Sequence, residues 1–265
     1  MRIVFSLLVG WLLLTGAGQA QVFGTVDALS GSATLTSRDG TLSPVTVGTK
    51  ILLGQTLATA ADTELHAVTE DGGLIALRAN SLFQVNQYRV SKDSGAVLDM
   101  SLVRGAMRSI TGWIGKINPA GYRLATPTAT IGIRGTDHET TVVEVDAGRD
   151  RPGTFLYVHE GASFLQTSAG ELQVVAGQHG FATREGNLPP RLLEQAPDFF
   201  ANRQLRLENR IQERREGLAT RLQQVMDERA QRSGERREKL EGLADDQRDA
   251  VKKSVRRKLQ QRKVN

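Results

Sequence analysis

The chain has 265 residues with 39% hydrophobic and 5% aromatic side chains, and 27 of its positions are glycine. It contains no cysteine, which excludes disulfide bonds, thiolate metal sites and cysteine nucleophiles. The net charge of +5 is unevenly distributed, because residues 202–265 carry 19 basic and 11 acidic side chains while the rest of the chain is slightly acidic.

Residues 1–20 have the pattern of a signal peptide. Arg2 provides a positive charge, residues 3–14 form a short apolar core, and the small residues that follow suit cleavage after Ala20. The alternative is a membrane anchor, but a spanning helix needs about 20 apolar residues, and polar or small residues begin here at Thr15. We therefore expect an exported protein that resides in the periplasm.

Residues 21–184 are predicted to form one all-β domain. Turn signals such as Asp39-Gly40 and Asp71-Gly72 recur between short runs of β-favouring residues, and no long helical pattern separates them. The run from Leu98 to Leu102 alternates apolar and polar side chains, which is typical of a half-buried strand. The sequence therefore predicts a mainly β fold.

Prolines mark the end of this region, and residues 185–197 are predicted to form a proline-containing linker. Residues 198–265 are then predicted to form a charged α-helical tail, because apolar residues recur from Ile211 to Val225 at intervals that place one narrow stripe on a helix. Ser233-Gly234 interrupts the pattern, so two helices broken near 233–234 are a further expectation. The stripe is too thin to stabilise a lone helix, so the tail pairs with itself, with a partner chain or with the β domain.

Most of the tail is balanced in charge, since acidic residues lie three or four positions from arginines. Only Lys252–Lys263 is purely basic, with seven cations and no acidic residue. This stretch suits an anionic envelope surface or an acidic partner. Nucleic acid is not an expected partner of an exported protein.

The most specific stretch runs from Thr126 to Asp137. A Thr-Pro-x-Ala run precedes an apolar-x-apolar-Arg-Gly-Thr-acidic run there, and this arrangement resembles the signature of the FecR family. The signature residues are Thr126, Pro127, Ala129, Ile131, Ile133, Arg134, Gly135, Thr136 and Asp137. Segments at 54–59, 71–83 and 102–106 resemble further family motifs in the same order, so the resemblance covers about Gly24 to Val145, with an expected extension to Ala182.

The resemblance implies a twisted β-solenoid or roll of short strands in the periplasm. It also implies a role in signalling from an outer-membrane receptor to a sigma factor. The family pattern has a cytoplasmic anti-sigma segment and a membrane helix at the start, where a signal peptide is predicted here. It has a receptor-docking subdomain at the end, where a charged helix is predicted here. We therefore expect a protein-interaction or scaffolding module with a protein partner in the periplasm or outer membrane, and the pathway stays open.

Within the signature, Ile131 and Ile133 are expected to share one face of a strand, and Gly135 fits a turn or bulge that requires positive φ. Arg134 is expected to pair with Asp137 or Glu139 and hold that turn. The alternative is that Arg134 recognises a carboxylate of a partner.

No catalytic residue, metal ligand or cofactor is predicted. In the run Asp137-His138-Glu139, the two carboxylates lie on one side of a strand and His138 on the other, so the three do not converge on an ion. His66, His159 and His179 lack ligand spacing, and the sequence has no nucleophile elbow, P-loop or dinucleotide fingerprint. The alternative function is an envelope-acting hydrolase or a carbohydrate-binding protein.

Overall fold

The computed structural model describes residues 21–91, 95–145, 151–185 and 188–201, together with ten positions between 209 and 231. The expected signal peptide, the break near 233–234 and the basic stretch Lys252–Lys263 lie outside the described residues. Of the predicted tail, the described positions are helical. None of the helices in the described ranges has the length and apolar character that crossing a membrane requires.

The described part of the chain is mainly β, which confirms the predicted fold class at that level. One sheet contains fifteen strands, joined to two short helices and a 3₁₀ turn at Pro119–Gly121. The strands are β1 (Val22–Ser30), β2 (Ala33–Thr36), β3 (Leu42–Pro44), β4 (Lys50–Leu52), β5 (Thr56–Thr59), β6 (Glu64–Thr69), β7 (Leu74–Leu77), β8 (Leu82–Arg89), β9 (Val97–Ile110), β10 (Tyr122–Ala125), β11 (Thr130–Val143), β12 (Gly153–Thr167), β13 (Gly170–Val175), β14 (His179–Thr183) and β15 (Arg191–Leu193). The helices are α1 (Trp113–Ile117) and α2 (Asp198–Ala201).

The sheet is open, and its main path runs β15-β14-β12-β11-β10-β9-β7-β6-β1-β4. A branch formed by β8, β5, β2 and β3 leaves this path at β9, and β13 pairs with β12. All pairings are antiparallel except that of β10 with β9. β15 lies inside the segment that the sequence predicts as a linker, so the sheet continues by one strand beyond the expected end of the domain.

The three longest strands each change neighbours partway along. The first half of β9 pairs with β8 and β10, and its second half pairs with β7 and β11. In the same way, the first part of β11 pairs with β10 and its later part with β9. The first part of β12 pairs with β14 and its later part with β13. One continuous sheet can therefore bend and enclose its own hydrophobic core.

The bend between β11 and β12 is formed by two glycines. Gly135 has φ +62° and Gly161 has φ +80°, conformations that residues with a Cβ rarely adopt. A Cβ on Gly161 would lie far inside van der Waals contact with the carbonyl oxygen of Gly135. The register between the two strands shifts here, between Arg134 and Asp137, as the sequence predicts for Gly135.

The core lies on the inner face of the sheet and includes side chains from both halves of the long strands. Leu98, Met100 and Leu102 are buried in it, which confirms the alternation predicted for this run. β6 and β7 are buried on both faces, because their outer face is covered as well. The cover comes from the predicted tail: Ile211 is fully buried and packs against Leu74 and Ala76.

We expect Gly161→Ala to lower the free energy of unfolding by about 2 kcal/mol or more, because the residue has positive φ and faces a backbone oxygen. Gly132→Ala is the matched control, since a Cβ there meets nothing within 4 Å and replacing an unstrained glycine is neutral or stabilising by up to about 1 kcal/mol. Urea unfolding followed by circular dichroism measures both. Equal losses at the two positions would contradict the assignment of the bend.

Candidate functional site

The signature begins with a tight turn between β10 and β11. The backbone N–H of Thr126 donates to the carbonyl oxygen of Ala129 over 2.8 Å, and the Thr126 hydroxyl accepts the Ala129 N–H over 3.0 Å. Pro127 is exposed in this turn, where its missing N–H leaves no donor unpaired. The hydroxyls of Thr126 and Thr128 both contact the Thr154 hydroxyl, at 2.7 and 2.6 Å, so the turn is fastened to β12.

In the middle of the signature, some residues point into the core and others point to solvent. Ile131 and Ile133 are buried in the core, as predicted. Arg134 is exposed, on the half of β11 that precedes the bulge. After the bulge, the Thr136 N–H donates to the Thr111 hydroxyl, and that hydroxyl donates back to the Thr136 carbonyl, both over 3.0 Å. The bulge is thus held from the side of β9.

Asp137, the last signature residue, forms a buried bidentate salt bridge with Arg108. Arg108 Nε and Nη2 donate to the two carboxylate oxygens over 2.7 Å each, and both side chains are 3% exposed. The expectation that Arg134 pairs with Asp137 or Glu139 is wrong, because the bulge separates an exposed Arg134 from two buried carboxylates that pair with other arginines. Glu139 pairs with Arg78 over 3.0 Å.

Asp137 and Glu139 belong to a charged outer face of the sheet, formed by Glu64, His66, Arg78, Arg108, Asp137 and Glu139. Arg78 lies between two carboxylates, since it pairs with Glu64 as well as Glu139. His66 Nε2 lies 3.1 Å from the Glu64 carboxylate. A guanidinium therefore occupies the place between the carboxylates where a cation would bind, and no group of three or more potential metal ligands occurs in the described ranges.

Aromatic residues of the predicted tail cover one end of this charged outer face. In α2, Phe199 packs edge-on against Phe155 at 5.1 Å between ring centroids, and Phe200 lies 5.3 Å from the ring of His179. His179 itself stacks on Tyr157 at 4.4 Å. With Ile211 packed on β7 at the other end, the beginning of the tail packs on the β domain, which is one of the three arrangements expected from its sequence.

His138 points to the other face of β11, as predicted. Its Nε2 lies 3.0 Å from the Tyr122 hydroxyl, and the ring is fully buried. Burial lowers the pKa of His138 from its ordinary 6.5 to about 4. The histidine is therefore a neutral core residue at physiological pH.

The exposed half of the signature strand borders a groove of about 620 Å³. Gly132 and Arg134 of β11 line it together with Arg123 of β10 and Phe164 of β12, and Glu171 lies on the β13 side. A Cβ on Gly132 would meet nothing within 4 Å, so the groove is open to solvent above this residue. We call this feature the Gly132 groove.

Sequence reasoning missed Arg78, Arg108, Arg123 and Phe164. Arg78 directly follows an apolar run, and Arg108 interrupts the apolar alternation of β9, but neither position identifies its partner. Phe164 precedes the core residue Leu165 in β12, and successive side chains of a strand point to opposite faces. This alternation is the one signal that could have placed Phe164 on the surface.

The chain thus combines a β-rich domain with a signature strand that is bent at a glycine. The family model described as FecR protein matches residues 55–162, from the edge of β5 to the bend of β12, and includes the whole signature. Residues 55–162 of the chain are therefore a FecR domain.

Two crystal structures of a presumed anti-sigma factor from Parabacteroides distasonis are similar to this chain. They have 9% and 10% sequence identity and TM-scores of 0.44 and 0.43. Each match covers 55% of this chain and 62% of the other, so this chain spans less than two thirds of the length of those proteins. No curated protein matches it.

We expect Asp137→Ala to lower the free energy of unfolding by about 3–5 kcal/mol, because it leaves Arg108 buried and uncompensated. The double variant Arg108→Met/Asp137→Leu should recover most of the loss, since it removes both charges and keeps similar volumes. Denaturant unfolding gives the values, and Arg104→Met, on the exposed part of β9, is the control with a change within about 0.5 kcal/mol. A double variant as unstable as the single one would contradict this account.

The stability of the domain should fall between pH 6.5 and pH 4 through His138. The unfolded chain takes up a proton near pH 6.5, and the folded domain does so only near pH 4. The free energy of unfolding should therefore decrease by about 3 kcal/mol as the pH falls through this window. The His138→Gln variant should lack this component, so the difference between its pH profile and that of the parent isolates the histidine from the carboxylates. Parallel profiles would show that His138 does not carry the effect.

Proposed function

We propose that this protein is an exported, non-enzymatic interaction module of the FecR family, which binds a protein partner in the periplasm or at the outer membrane and takes part in cell-surface signalling. The observation that carries the proposal is the position of Arg134. Other polar signature residues, Thr126, Thr136 and Asp137, make internal hydrogen bonds, whereas Arg134 is displayed at the Gly132 groove.

The chemistry of the groove suits a protein ligand with a carboxylate. Arg134 and Arg123 are both exposed, and a guanidinium binds a carboxylate through two parallel hydrogen bonds. Gly132 between them has no side chain, so a partner's backbone can approach the sheet closely. Phe164 is half-buried beside it and offers an apolar contact.

The remaining parts of the proposal rest on the sequence. The pattern of residues 1–20 supports export to the periplasm. The bent strands support a roll or twisted solenoid built by the single sheet. The helical tail supports self-association or attachment: its described part between Gln212 and Gln231 is exposed, and Lys252–Lys263 suits an anionic envelope surface.

A second candidate is carbohydrate binding. Phe164, Gln166 and Glu171 line the same groove, and an aromatic ring beside an amide and a carboxylate also suits a sugar. An envelope hydrolase would need a second carboxylate or a nucleophile with its base. Glu171 is the only acidic residue among the described residues that line the groove.

A photo-crosslinking amino acid in place of Gln166, which is exposed in the groove, tests the proposal in intact cells. We expect a discrete crosslinked protein in the envelope fraction, and we expect Arg134→Glu to reduce its yield at least tenfold by reversing the charge that the partner's carboxylate meets. Arg104→Glu is the matched control, because Arg104 is an exposed arginine on β9 that does not line the groove.

A crosslink that persists in Arg134→Glu, or that is lost equally in Arg104→Glu, would contradict the proposed role of Arg134. Crosslinks to glycan alone would favour the carbohydrate-binding alternative. If deletion of the gene changes no sigma-factor-dependent transcript, the proposed role in signalling is wrong. The proposed interaction module does not depend on that result.

A further inference from the structure

A second cleft lies at the end of the sheet formed by β12, β14 and β15. Its larger cavity, of about 500 Å³, is lined by Arg151, Arg184 and Arg191 and by the ring of Phe181. A smaller cavity of about 230 Å³ adjoins it and shares Arg151, Phe181 and Arg191. These three shared residues are the centre of the feature, which we call the arginine cleft.

The arginine cleft is strongly biased toward positive charge. The larger cavity has three arginines, and Glu185 is the only acidic residue among the described residues that line it. In the smaller cavity the acidic residue is Asp198. Guanidinium groups at the mouth of one cavity create a positive electrostatic potential that attracts anions. Each guanidinium can also donate two parallel hydrogen bonds to a carboxylate or phosphate.

Two of the three arginines, Arg184 and Arg191, make contacts with the fold. The Arg191 guanidinium lies over the Phe181 ring, 5.6 Å from its centroid, and Arg184 Nη1 donates to the carbonyl oxygen of Glu144. Stacking and hydrogen bonding restrict these long side chains before any ligand arrives, which reduces the entropy lost on binding.

The walls between the arginines are apolar. Pro152, Pro189 and Leu188 line the larger cavity beside Phe181, and Leu188 is 53% exposed. A purely inorganic anion would leave this surface in contact with water. A ligand with an apolar part attached to its anionic group would cover it.

We propose that the arginine cleft binds a small molecule that carries a carboxylate or phosphate on an apolar body. Arg151 and Arg191 bind the anionic group, and Leu188 and Pro189, which are both exposed, pack against the apolar body. The site shares no lining residue with the Gly132 groove and is independent of the protein partner proposed there.

Phenyl phosphate is the probe, with phenol and inorganic phosphate as matched ligands that lack the charge or the ring. We expect saturable binding of phenyl phosphate to the full chain, with a dissociation constant on the order of 1 mM or tighter, and binding of phenol and inorganic phosphate at least tenfold weaker. Amide chemical-shift changes in ¹H–¹⁵N spectra measure the affinity and should be confined to the neighbours of Phe181 and Arg191.

Arg151→Gln and Arg191→Gln should each weaken phenyl phosphate binding at least tenfold, and added salt should weaken it in the parent protein. Both arginines are exposed, so both variants are expected to fold, which their circular dichroism checks. Arg104→Gln should bind like the parent. The proposal is overturned if phenyl phosphate does not saturate, if the two arginine variants bind as the parent does, or if inorganic phosphate binds equally well.

Discussion

The bend of the long strands is the constraint on which the rest of the structure depends. β9, β11 and β12 each pair with one set of neighbours before the bend and another after it. Between β11 and β12, the backbones meet at Gly135 and Gly161 so closely that a Cβ on Gly161 would overlap the facing carbonyl. Gly161 is therefore required by steric exclusion, and the signature glycine Gly135 by its positive φ. The neighbours of Gly135 take their positions from this bend. Ile133 lies before the bend in the core, and Asp137 lies after it on the outer face.

The charges of the outer face also select the strand register. A slip of one residue in β11 would turn Asp137 and Glu139 toward the hydrophobic core and bring Ile131 and Ile133 to the surface. The observed register gives Asp137 a bidentate arginine and Glu139 a second one. Buried ion pairs contribute little net stability, but an unpaired buried carboxylate is costly. These pairs therefore stabilise one alignment of β9 and β11 against the alternatives more than they stabilise folding as such.

Buried charges need a cover, and here the cover comes from beyond the predicted domain end. The sequence predicts a boundary at residue 184, but β15 extends the sheet, and Phe199, Phe200 and Ile211 pack on its outer face. A folded unit that ended at 184 would expose the apolar surface of Leu74 and Ala76. The first part of the tail therefore belongs to the domain by packing, although its composition resembles that of a solvated helix.

The features predictable from the sequence are those with a local cause. Alternation identified Leu98, Met100 and Leu102 as core, and a glycine after Arg134 identified the bulge, because both patterns depend on adjacent residues. The Arg108–Asp137 pair joins residues 29 positions apart, and the contact of Ile211 with Leu74 spans far more of the chain. No local pattern encodes such pairings, so the sequence predicts that Arg134 pairs with the nearest carboxylates. In the structure these carboxylates pair with Arg108 and Arg78, and Arg134 is exposed.

The same bend explains why a binding site can lie on this strand. Residues before the bulge alternate between core and solvent, so Ile131 and Ile133 fix the strand from below while Gly132 and Arg134 face the groove. Thr136 and Asp137 then fasten the strand to β9 immediately after the bulge. A side chain presented by a strand that is held on both sides loses less entropy on binding than one presented by a loop. The signature thus serves the fold through its buried residues and can serve recognition through Arg134, because the buried residues hold the backbone that carries this arginine.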